Sequence, residues 1–349
     1  MAALAVGVCR ETTPGDRRVA LPPRSVAPVR TLGLDVAVEM GAGANLGLAD
    51  RTYRAAGARI GTRDEILARS DIVVALRPPS GVTGGGLRHD QVLVTLLTDL
   101  RAPLSLPFLI HKWADEGLTV IALDLIGETE ATTSPLDAGA SLEVLAGYKA
   151  ALLAADLLDR PLSGGGNPAL PRAAAHALIV GRGPAARQAG HVLGACGAEV
   201  LTVDGPPPDL GDWDVVVTSL RPWLYDRPPT VVTAPSLAGM RPGSVIVDMA
   251  AGQDGGNVEG AEPETVARTA SGVTVAGAGR LAERLPRVAS ETYAGHVVAL
   301  LKHLARGGTI DIDPADPVLS AVLVTHRGLV PREDVWRPIM EQMAVAGLP

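Results

Sequence analysis

The chain has 349 residues, of which 47% are hydrophobic, and a formal net charge of −7. This length and apolar content suffice for a large buried core and favour two domains over one. The acidic balance argues against nucleic acid as a partner, because nucleic-acid-binding proteins concentrate Lys and Arg in basic patches. The sequence shows no secretory signal, and charged residues interrupt its longest apolar stretches. We therefore expect no membrane span and a cytoplasmic location.

The first part of the chain alternates short β-branched runs with stretches typical of helices. Strands are predicted over residues 3–8, 35–39, 71–76, 92–97 and 119–123, and helices over residues 25–32, 50–56, 64–69 and 107–116. Strands that alternate with helices predict a parallel sheet with helices on both faces.

A second α/β region follows a long predicted helix over residues 138–158 and a Gly-rich loop. Its strands are predicted over residues 177–180, 199–204, 214–218, 244–248 and 273–276, and its closing helix over residues 291–304. The tail is predicted to return to the first region. We therefore expect an α/β protein of two Rossmann-like or flavodoxin-like domains with parallel sheets, one of residues 1–137 plus 305–349 and one of residues 138–304.

A Gly-rich turn in the second region carries a pattern with a known chemistry. Gly181, Gly183 and Ala186 fit G-x-G-x-x-A directly after the apolar strand 177–180. In that context the glycines permit a tight turn and let a pyrophosphate approach a helix N-terminus. Asp204, at the end of the next strand, is placed to accept hydrogen bonds from ribose hydroxyls and to repel a 2′-phosphate. The pattern predicts a site that prefers NAD over NADP; the alternative is a tight turn whose small residues serve packing alone.

Three features weaken the match to this pattern. Pro184 removes one backbone N–H from the phosphate cradle, although proline is tolerated in a first helical turn. Arg182 either pairs with a phosphate or fills the groove. Only residues 205–213 separate Asp204 from the next predicted strand, whereas a crossover with its helix needs at least about 10 to 12 residues. The sequence therefore predicts a Rossmann-type NAD(P)-binding domain shortened between residues 204 and 214, on the adenine side.

Further segments, taken in chain order, resemble one family. They are GVCRE (7–11) with RVALP (18–22), VEMGAG (38–43), DIVV (71–74), LD (136–137) with AGYK (146–149), GSVIVDMAA (243–251) with GGN (255–257), and GTIDID (308–313) through RG (327–328). They resemble the family of alanine dehydrogenase and the proton-translocating nicotinamide nucleotide transhydrogenase alpha subunit. The resemblance implies an active site in the cleft between the domains and a homodimer or larger assembly. For the transhydrogenase version it also implies a separate NADP-binding partner subunit.

The resemblance assigns roles to three residues of the first domain. Arg18 falls on the arginine that binds the substrate carboxylate in alanine dehydrogenases, a task suited to a bidentate guanidinium; a salt bridge is the alternative. Arg77 stands where those enzymes carry an active-site lysine, so it is a candidate catalytic and substrate-binding residue through its charge, although it cannot easily shed a proton. Thr98 takes the place of their catalytic histidine, so the usual proton shuttle is missing.

Two aspartates are the remaining candidates for proton transfer. The nicotinamide-orienting loop of transhydrogenases carries an Arg, a Gln and an Asp at fixed spacing; here only Asp137 survives, and Thr129 and Ser134 stand at the other two positions. Gln253 and Asp254 lie in a Gly-rich loop after a parallel strand, where ligands bind in open α/β sheets. By the resemblance, Asp254 is near the family's catalytic aspartate, and we expect Gln253 to contact the cofactor.

Two functions stay open on the sequence alone. One is an NAD-dependent oxidoreductase that acts on a small amino or 2-oxo acid. The other is a divergent homologue without the family's redox chemistry, either a non-redox enzyme or a ligand-binding or partner subunit. The missing histidine and the shortened nucleotide domain favour the second. In either case no metal is expected, because the seven histidines show no metal-ligand spacing with Cys or carboxylates.

Overall fold

A computed structural model describes residues 3–79, 86–97, 106–126, 136–164, 173–221, 227–306 and 309–345. The chain divides into two compact units. The first unit contains Met1–Gly139 and Pro286–Pro349, and the second contains Ala140–Leu285. Each unit is built on a mainly parallel sheet with helices, so the predicted α/β fold class is confirmed.

The strands are β1 (Ala5–Val8), β2 (Asp35–Glu39), β3 (Arg59–Gly61), β4 (Ile72–Val74), β5 (Val92–Thr95), β6 (Thr119–Ala122), β7 (His176–Val180), β8 (Glu199–Val203), β9 (Val215–Thr218), β10 (Val245–Asp248), β11 (Val266–Arg268), β12 (Thr274–Gly277), β13 (Ala305–Arg306), β14 (Thr309–Ile310) and β15 (Leu323–Thr325). The α-helices are α1 (Val26–Arg30), α2 (Asp50–Ala55), α3 (Arg63–Arg69), α4 (Leu106–Asp115), α5 (Ala138–Leu157), α6 (Pro184–Ala195), α7 (Ala234–Ala238), α8 (Pro286–Leu304), α9 (Pro317–Ser320) and α10 (Glu333–Val345). Every predicted strand and helix overlaps one of these elements. The strands that the sequence missed have only two or three residues, and the longest of them, β3, β11 and β15, lie at sheet edges.

The sheet of the first unit has the strand order β15-β6-β5-β4-β1-β2-β3. The strands from β1 to β6 are parallel, and β15 is antiparallel to β6. Residues of β1, β4, β5 and β6 are all buried, as expected for strands covered by helices on both faces. The order of β1 to β6 is that of Rossmann folds, in which ligands bind outside the carboxyl ends of the strands where the strand order reverses. In this sheet that point lies between β1 and β4.

Helix α8 belongs to the first unit. The hydroxyl of Tyr293 donates to the carbonyl oxygens of Ala75 at 2.9 Å and Val94 at 3.3 Å. Tyr293 is fully buried, and its two acceptors lie at the ends of β4 and β5. The predicted extension of the second domain to residue 304 is therefore wrong at this helix, because buried contacts that no sequence spacing reveals fix α8 to the other sheet.

The sheet of the second unit has the strand order β11-β12-β10-β9-β7-β8. Its neighbouring strands are parallel, except that β11 is antiparallel to β12. The five parallel strands follow the 2-1-3-4-5 order of flavodoxin-like folds. β8 is an edge strand, and the chain runs from it to β9 through residues 204–214, which form turns without a helix. This is the region in which the sequence predicts a shortened domain.

Alternate residues of β7 face two separate cores. Ala177 and Ile179 are buried in a cluster with alanines of α5 and α6, such as Ala189. Leu178 and Val180 are buried in a second cluster on the other face. A strand with both faces covered needs a continuous apolar run, which is why β7 and the glycine turn after it were recognisable in the sequence.

Helix α5 is long and apolar enough to cross a membrane by length and composition alone. Core helices of soluble proteins pass the same test. In the second unit, α5 packs closely on α6, because a Cβ atom at Gly147 would lie 2.1 Å from the carbonyl oxygen of Ala185. Ala150 and Ala154 of α5 are fully buried in the same core. These contacts assign α5 to the core of the second unit.

Candidate functional site

Three charged side chains meet at the carboxyl ends of β1 and β4. The Oδ2 atom of Asp16 accepts hydrogen bonds from Nη2 of Arg18 at 2.8 Å and from Nη1 of Arg77 at 2.6 Å. The Oδ1 atom of Asp16 accepts hydrogen bonds from Nε of Arg18 at 3.1 Å and from its backbone N–H at 3.0 Å. Arg18 thus binds Asp16 through two side-chain nitrogens, the strong geometry for a guanidinium and a carboxylate. We call these three residues the Asp16 cluster.

The Asp16 cluster is nearly closed to solvent. The side chain of Arg18 is 1% exposed, that of Asp16 is 0% exposed, and that of Arg77 is 11% exposed. Burial by itself raises the pKa of Asp16, but the hydrogen bonds and charge of Arg18 and the charge of Arg77 outweigh it, so the pKa lies below its usual value. Arg77 is the most exposed member of the cluster, and its positive charge suits an anionic ligand.

Glu11 is a buried carboxyl group beside the cluster. Its Oε1 atom accepts a hydrogen bond from the backbone N–H of Leu76 at 2.7 Å, which ties the segment after β1 to the segment after β4. Burial raises the pKa of Glu11 to about 7, although the Leu76 hydrogen bond and the charges of Arg18 and Arg77 act in the opposite direction. A carboxyl group with a pKa near neutrality can take up or release a proton under physiological conditions.

Two buried side chains position the neighbouring segments. The hydroxyl of Ser290, on α8, accepts a hydrogen bond from the backbone N–H of Val19 at 2.9 Å, directly after Arg18. The Oδ1 atom of Asp124, after β6, accepts a hydrogen bond from the backbone N–H of Leu97 at 3.0 Å. Leu97 precedes Thr98, for which the sequence predicts the place of the missing histidine; Thr98 lies outside the described residues.

Asp137 lies at the same edge of the first sheet. The backbone N–H of the next residue, Ala138, donates to the carbonyl oxygen of Leu123 at 2.9 Å, just after β6. Asp137 is half-buried. The structure therefore places Asp137 at the carboxyl edge to which Arg18 and Arg77 also belong.

In the second unit, the glycine turn (residues 181–186) joins β7 to α6. Gly181 has a φ of +130°, and a Cβ atom there would lie 3.0 Å from the carbonyl oxygen of Ser219, so the turn requires glycine. Gly183 is the N-cap of α6, Pro184 is its first residue, and Ala186 is buried. This turn has the form that admits a pyrophosphate at a helix N-terminus, with one backbone N–H fewer because of Pro184.

Arg182 and Asp204 form an ion pair beside the glycine turn. The Nε atom of Arg182 lies 3.2 Å from Oδ2 of Asp204, and both side chains are exposed. The turn and the carboxylate therefore lie together, as recognition of a pyrophosphate and a ribose requires. Because Asp204 follows the edge strand β8, the adenine side of this site is more open than in a Rossmann domain with a further strand.

Gln253 and Asp254 form the tip of a tight turn after β10. Gly252 and Gly255 exchange two backbone hydrogen bonds across this turn, of 2.8 and 3.3 Å. Gln253 is exposed and Asp254 is half-buried. The turn lies at the carboxyl edge of the second sheet, where the sequence predicts both residues to meet a ligand.

Asp248 holds the base of that Gly-rich loop. It is fully buried and accepts hydrogen bonds from the backbone N–H groups of Ala250 at 2.9 Å and Val258 at 3.0 Å, and from the hydroxyl of Thr218 at 3.2 Å. Burial raises the pKa of Asp248 in spite of these hydrogen bonds.

Across the described residues, no three His, Cys, Asp or Glu side chains come together as metal ligands do.

Two domain models of one family match most of the chain. The N-terminal domain of alanine dehydrogenase/PNT proteins matches residues 7–146, and the C-terminal domain matches residues 209–333. The chain belongs to the alanine dehydrogenase/PNT family. The resemblance stated from the sequence is thereby confirmed. The glycine turn and Asp204 lie between the two matched ranges.

Individual relatives from both branches of the alanine dehydrogenase/PNT family align with nearly the whole chain. The NAD(P) transhydrogenase subunit alpha of Haemophilus influenzae is 29% identical over 93% of this chain and 71% of its own length. The alanine dehydrogenase of Mycobacterium tuberculosis is 26% identical over 95% of each chain. The crystal structure of a transhydrogenase from Sinorhizobium meliloti superposes with a TM-score of 0.79 at 30% identity, covering 93% of this chain and 99% of that one.

The structure brings the candidate residues together in two groups. In the first unit, Arg18 and Arg77 share the carboxylate of Asp16. In the second unit, Arg182 and Asp204 lie together at the glycine turn, whereas Gln253 lies in the turn after β10. Sequence analysis missed Asp16, Glu11 and Asp124. Asp16 is two residues from Arg18, a spacing that allows a local ion pair. Its contact with Arg77 comes from the pairing of β1 with β4, which no spacing in the sequence reveals.

Proposed function

We propose that this protein is an NAD(P)-dependent oxidoreductase that acts on a small amino or 2-oxo acid. The observation that carries the proposal is the Asp16 cluster, a buried pair of guanidiniums at the point of the first sheet where the strand order reverses. The second unit adds the glycine turn with Asp204 beside it. The relatives include an alanine dehydrogenase and an NAD(P) transhydrogenase subunit alpha, and their names support a reaction of this type.

Arg77 is the residue that we assign to the substrate carboxylate. Its side chain is 11% exposed, whereas that of Arg18 is 1% exposed and is already bound through two nitrogens to Asp16. Arg18 therefore supplies charge and fixes Asp16, which in turn fixes the guanidinium of Arg77. A guanidinium held in this way is suited to a carboxylate, because less side-chain freedom is lost on binding.

The residues of the glycine turn fit a dinucleotide. Backbone N–H groups at the start of α6 face the position of a pyrophosphate, Gly181 and Gly183 leave room for it, and Asp204 is placed for a ribose. When bound, the nicotinamide supplies hydride transfer. Arg182 and Gln253 are the further cofactor contacts that we propose, and Ala186 permits close packing at the turn.

Proton transfer requires a group other than histidine. Asp137 and Asp254 are the candidates that the sequence supplies, and both are half-buried at carboxyl edges of their sheets. Glu11 is a third, because its pKa of about 7 suits proton exchange near neutral pH. That the reaction takes place in a cleft between two domains, in a cytoplasmic homodimer, stays a prediction of the family resemblance. The same holds for an NADP-binding partner subunit.

A second function is favoured by one specific observation. The connection from β8 to β9 contains turns but no helix, so the nucleotide unit lacks the element that normally follows the ribose-binding residue. A divergent homologue without redox chemistry, such as a ligand-binding or partner subunit, would tolerate that loss.

Calorimetric titration with NAD, NADH, NADP and NADPH, followed by turnover assays, separates the two functions. The oxidoreductase is expected to bind at least one nucleotide and to oxidise NADH or NADPH in the presence of ammonium and one of a panel of 2-oxo acids. Nucleotide binding without turnover of any panel member would favour a binding subunit. Absence of both would rule out the oxidoreductase proposal.

A further inference from the structure

The ion pair between Arg182 and Asp204 stands where the ribose of a dinucleotide is recognised. The two side chains are 3.2 Å apart, measured from Nε to Oδ2. In Rossmann-type sites, the carboxylate at the end of the second strand accepts hydrogen bonds from the ribose hydroxyls, whereas a nearby arginine accommodates a 2′-phosphate. This chain carries both kinds of group, and they contact each other.

The strand register brings these two side chains together. β7 and β8 pair in parallel, and the backbone N–H of Gly181 donates to the carbonyl oxygen of Val203 at 2.8 Å. Arg182 and Asp204 are the next residue along each of the two segments. On the other side of the turn, Nη1 of Arg187 donates to the carbonyl oxygen of Arg182 at 2.6 Å. Strand pairing and Arg187 together therefore hold the Arg182 backbone beside Asp204.

The pair changes which nucleotides the site excludes. An unpaired carboxylate repels a 2′-phosphate, because like charges brought together are unfavourable. With Arg182 against it, the charge of Asp204 is matched, and Arg187 adds a second guanidinium to the same turn. Guanidinium groups bind phosphates through charge-assisted hydrogen bonds. A 2′-phosphate that approaches Asp204 therefore meets a carboxylate whose charge is already matched, together with the exposed guanidinium of Arg182.

The edge position of β8 leaves room for the additional phosphate. The side chains of Arg182 and Asp204 are 73% and 46% exposed. In the described part of the chain, no strand pairs with the outer edge of β8, and residues 204–214 form turns. A phosphate at this position keeps much of its hydration, so it is not subject to the desolvation of a closed pocket.

We propose that Arg182 is a specificity-determining residue that, by pairing with Asp204, lets the nucleotide site accept NADP(H) about as well as NAD(H). The inference rests on the proposed function, since it concerns the same cofactor site. It differs from the NAD preference that Asp204 alone predicts. Arg182, the residue between the two glycines of the motif, then has a role in binding.

The experiment is calorimetric titration of NADH and NADPH into the wild-type protein and two variants, Arg182→Ala and Arg268→Ala. Arg268 lies on β11, at the opposite edge of the same sheet, so its removal takes away the same charge far from the site. The ratio of the NADPH Kd to the NADH Kd is expected to be near one in the wild type and the control. In Arg182→Ala it should rise about tenfold, and less at high ionic strength because the pair is exposed.

A double variant, Arg182→Ala with Asp204→Asn, tests whether the effect of Arg182→Ala comes from the exposed charge of Asp204 or from the loss of the Arg182 side chain itself. It removes the repelling carboxylate as well, so its Kd ratio is expected to return towards that of the wild type. A wild-type protein that rejects NADPH, with a ratio that Arg182→Ala leaves unchanged, would overturn the inference and leave the proposed function standing. Binding of neither nucleotide by the wild type would overturn both.

Discussion

The carboxylate of Asp16 binds the guanidinium of Arg77, which lies 2.6 Å away and 61 residues farther along the chain. The contact joins the segments after β1 and β4, the two strands between which the strand order of the first sheet reverses. Asp16 also binds Arg18, so a single carboxylate orients both arginines of the proposed substrate site. Under the proposed function, substrate binding and the stability of the first unit both depend on this side chain.

Replacement of Asp16 by Asn removes a carboxylate that two buried guanidiniums share. We expect Asp16→Asn to lower the free energy of unfolding by about 3 kcal/mol at neutral pH, as loss of one partner of a buried ion pair does. The measurement is urea unfolding, with Asp35→Asn as the control, because Asp35 is exposed at the start of β2. The control should change stability by less than about 0.5 kcal/mol.

The pH dependence of the same variant follows from the direction of the Asp16 pKa shift. The pKa of Asp16 in the folded protein lies below its usual value. The stabilisation is therefore fully present above the unfolded pKa of about 4, and it is lost as the pH falls through the lower folded pKa. Asp16→Asn should weaken the loss of stability on acidification below about pH 4. An acid transition identical to that of the wild type would contradict this role.

Features that depend on neighbouring residues could be predicted from the sequence. The glycine turn and Asp204 follow from a strand, a spacing and a helix start, all within one local region of the chain. The contact between Asp16 and Arg77 and the position of α8 depend on how distant segments pair. The sequence indicated Arg18 and Arg77 as positively charged site residues, but it did not show that both bind Asp16. The ion pair of Arg182 with Asp204 depends on the register of two strands, so it also required the structure.

Glu11 provides a second test of the electrostatics, with the opposite sign. Burial raises its pKa to about 7 in the folded protein, against about 4.3 for an unfolded chain. Between those two values the folded state binds a proton that the unfolded state has lost, so stability falls as the pH rises, by up to about 4 kcal/mol. Glu11→Gln should remove this slope and should be more stable than the wild type at pH 8. The control is Glu341→Gln, since Glu341 is exposed on α10; a slope that survives in Glu11→Gln would refute the assignment.

The space around two helical glycines predicts opposite effects for their Gly→Ala changes. At Gly147 a Cβ atom would lie 2.1 Å from the Ala185 carbonyl oxygen, a backbone atom that cannot move alone. Gly147→Ala should therefore lower the free energy of unfolding by about 2–3 kcal/mol.

At Gly295, on α8, a Cβ atom would meet nothing within 4 Å among the described residues. Gly295→Ala should stabilise the protein by about 0.5–1 kcal/mol, because alanine restricts the unfolded chain and favours the helix. Thermal unfolding of both variants checks the pair, and equal effects of the two substitutions would show that α5 is not packed as described.

The role of Arg77 is tested by kinetics with the 2-oxo acid that the panel identifies. Arg77→Gln removes the charge nearest to solvent but leaves the bidentate contact of Arg18 with Asp16, so the fold should be retained. Loss of a charge-assisted hydrogen bond to the substrate carboxylate is expected to raise KM by about 30- to 100-fold, with a smaller change in kcat. The control is Arg51→Gln, an exposed residue of α2 whose removal should leave both constants unchanged. An unchanged KM in Arg77→Gln would remove Arg77 from the substrate site, whereas a fall in kcat at constant KM would place it in the chemical step instead of in binding.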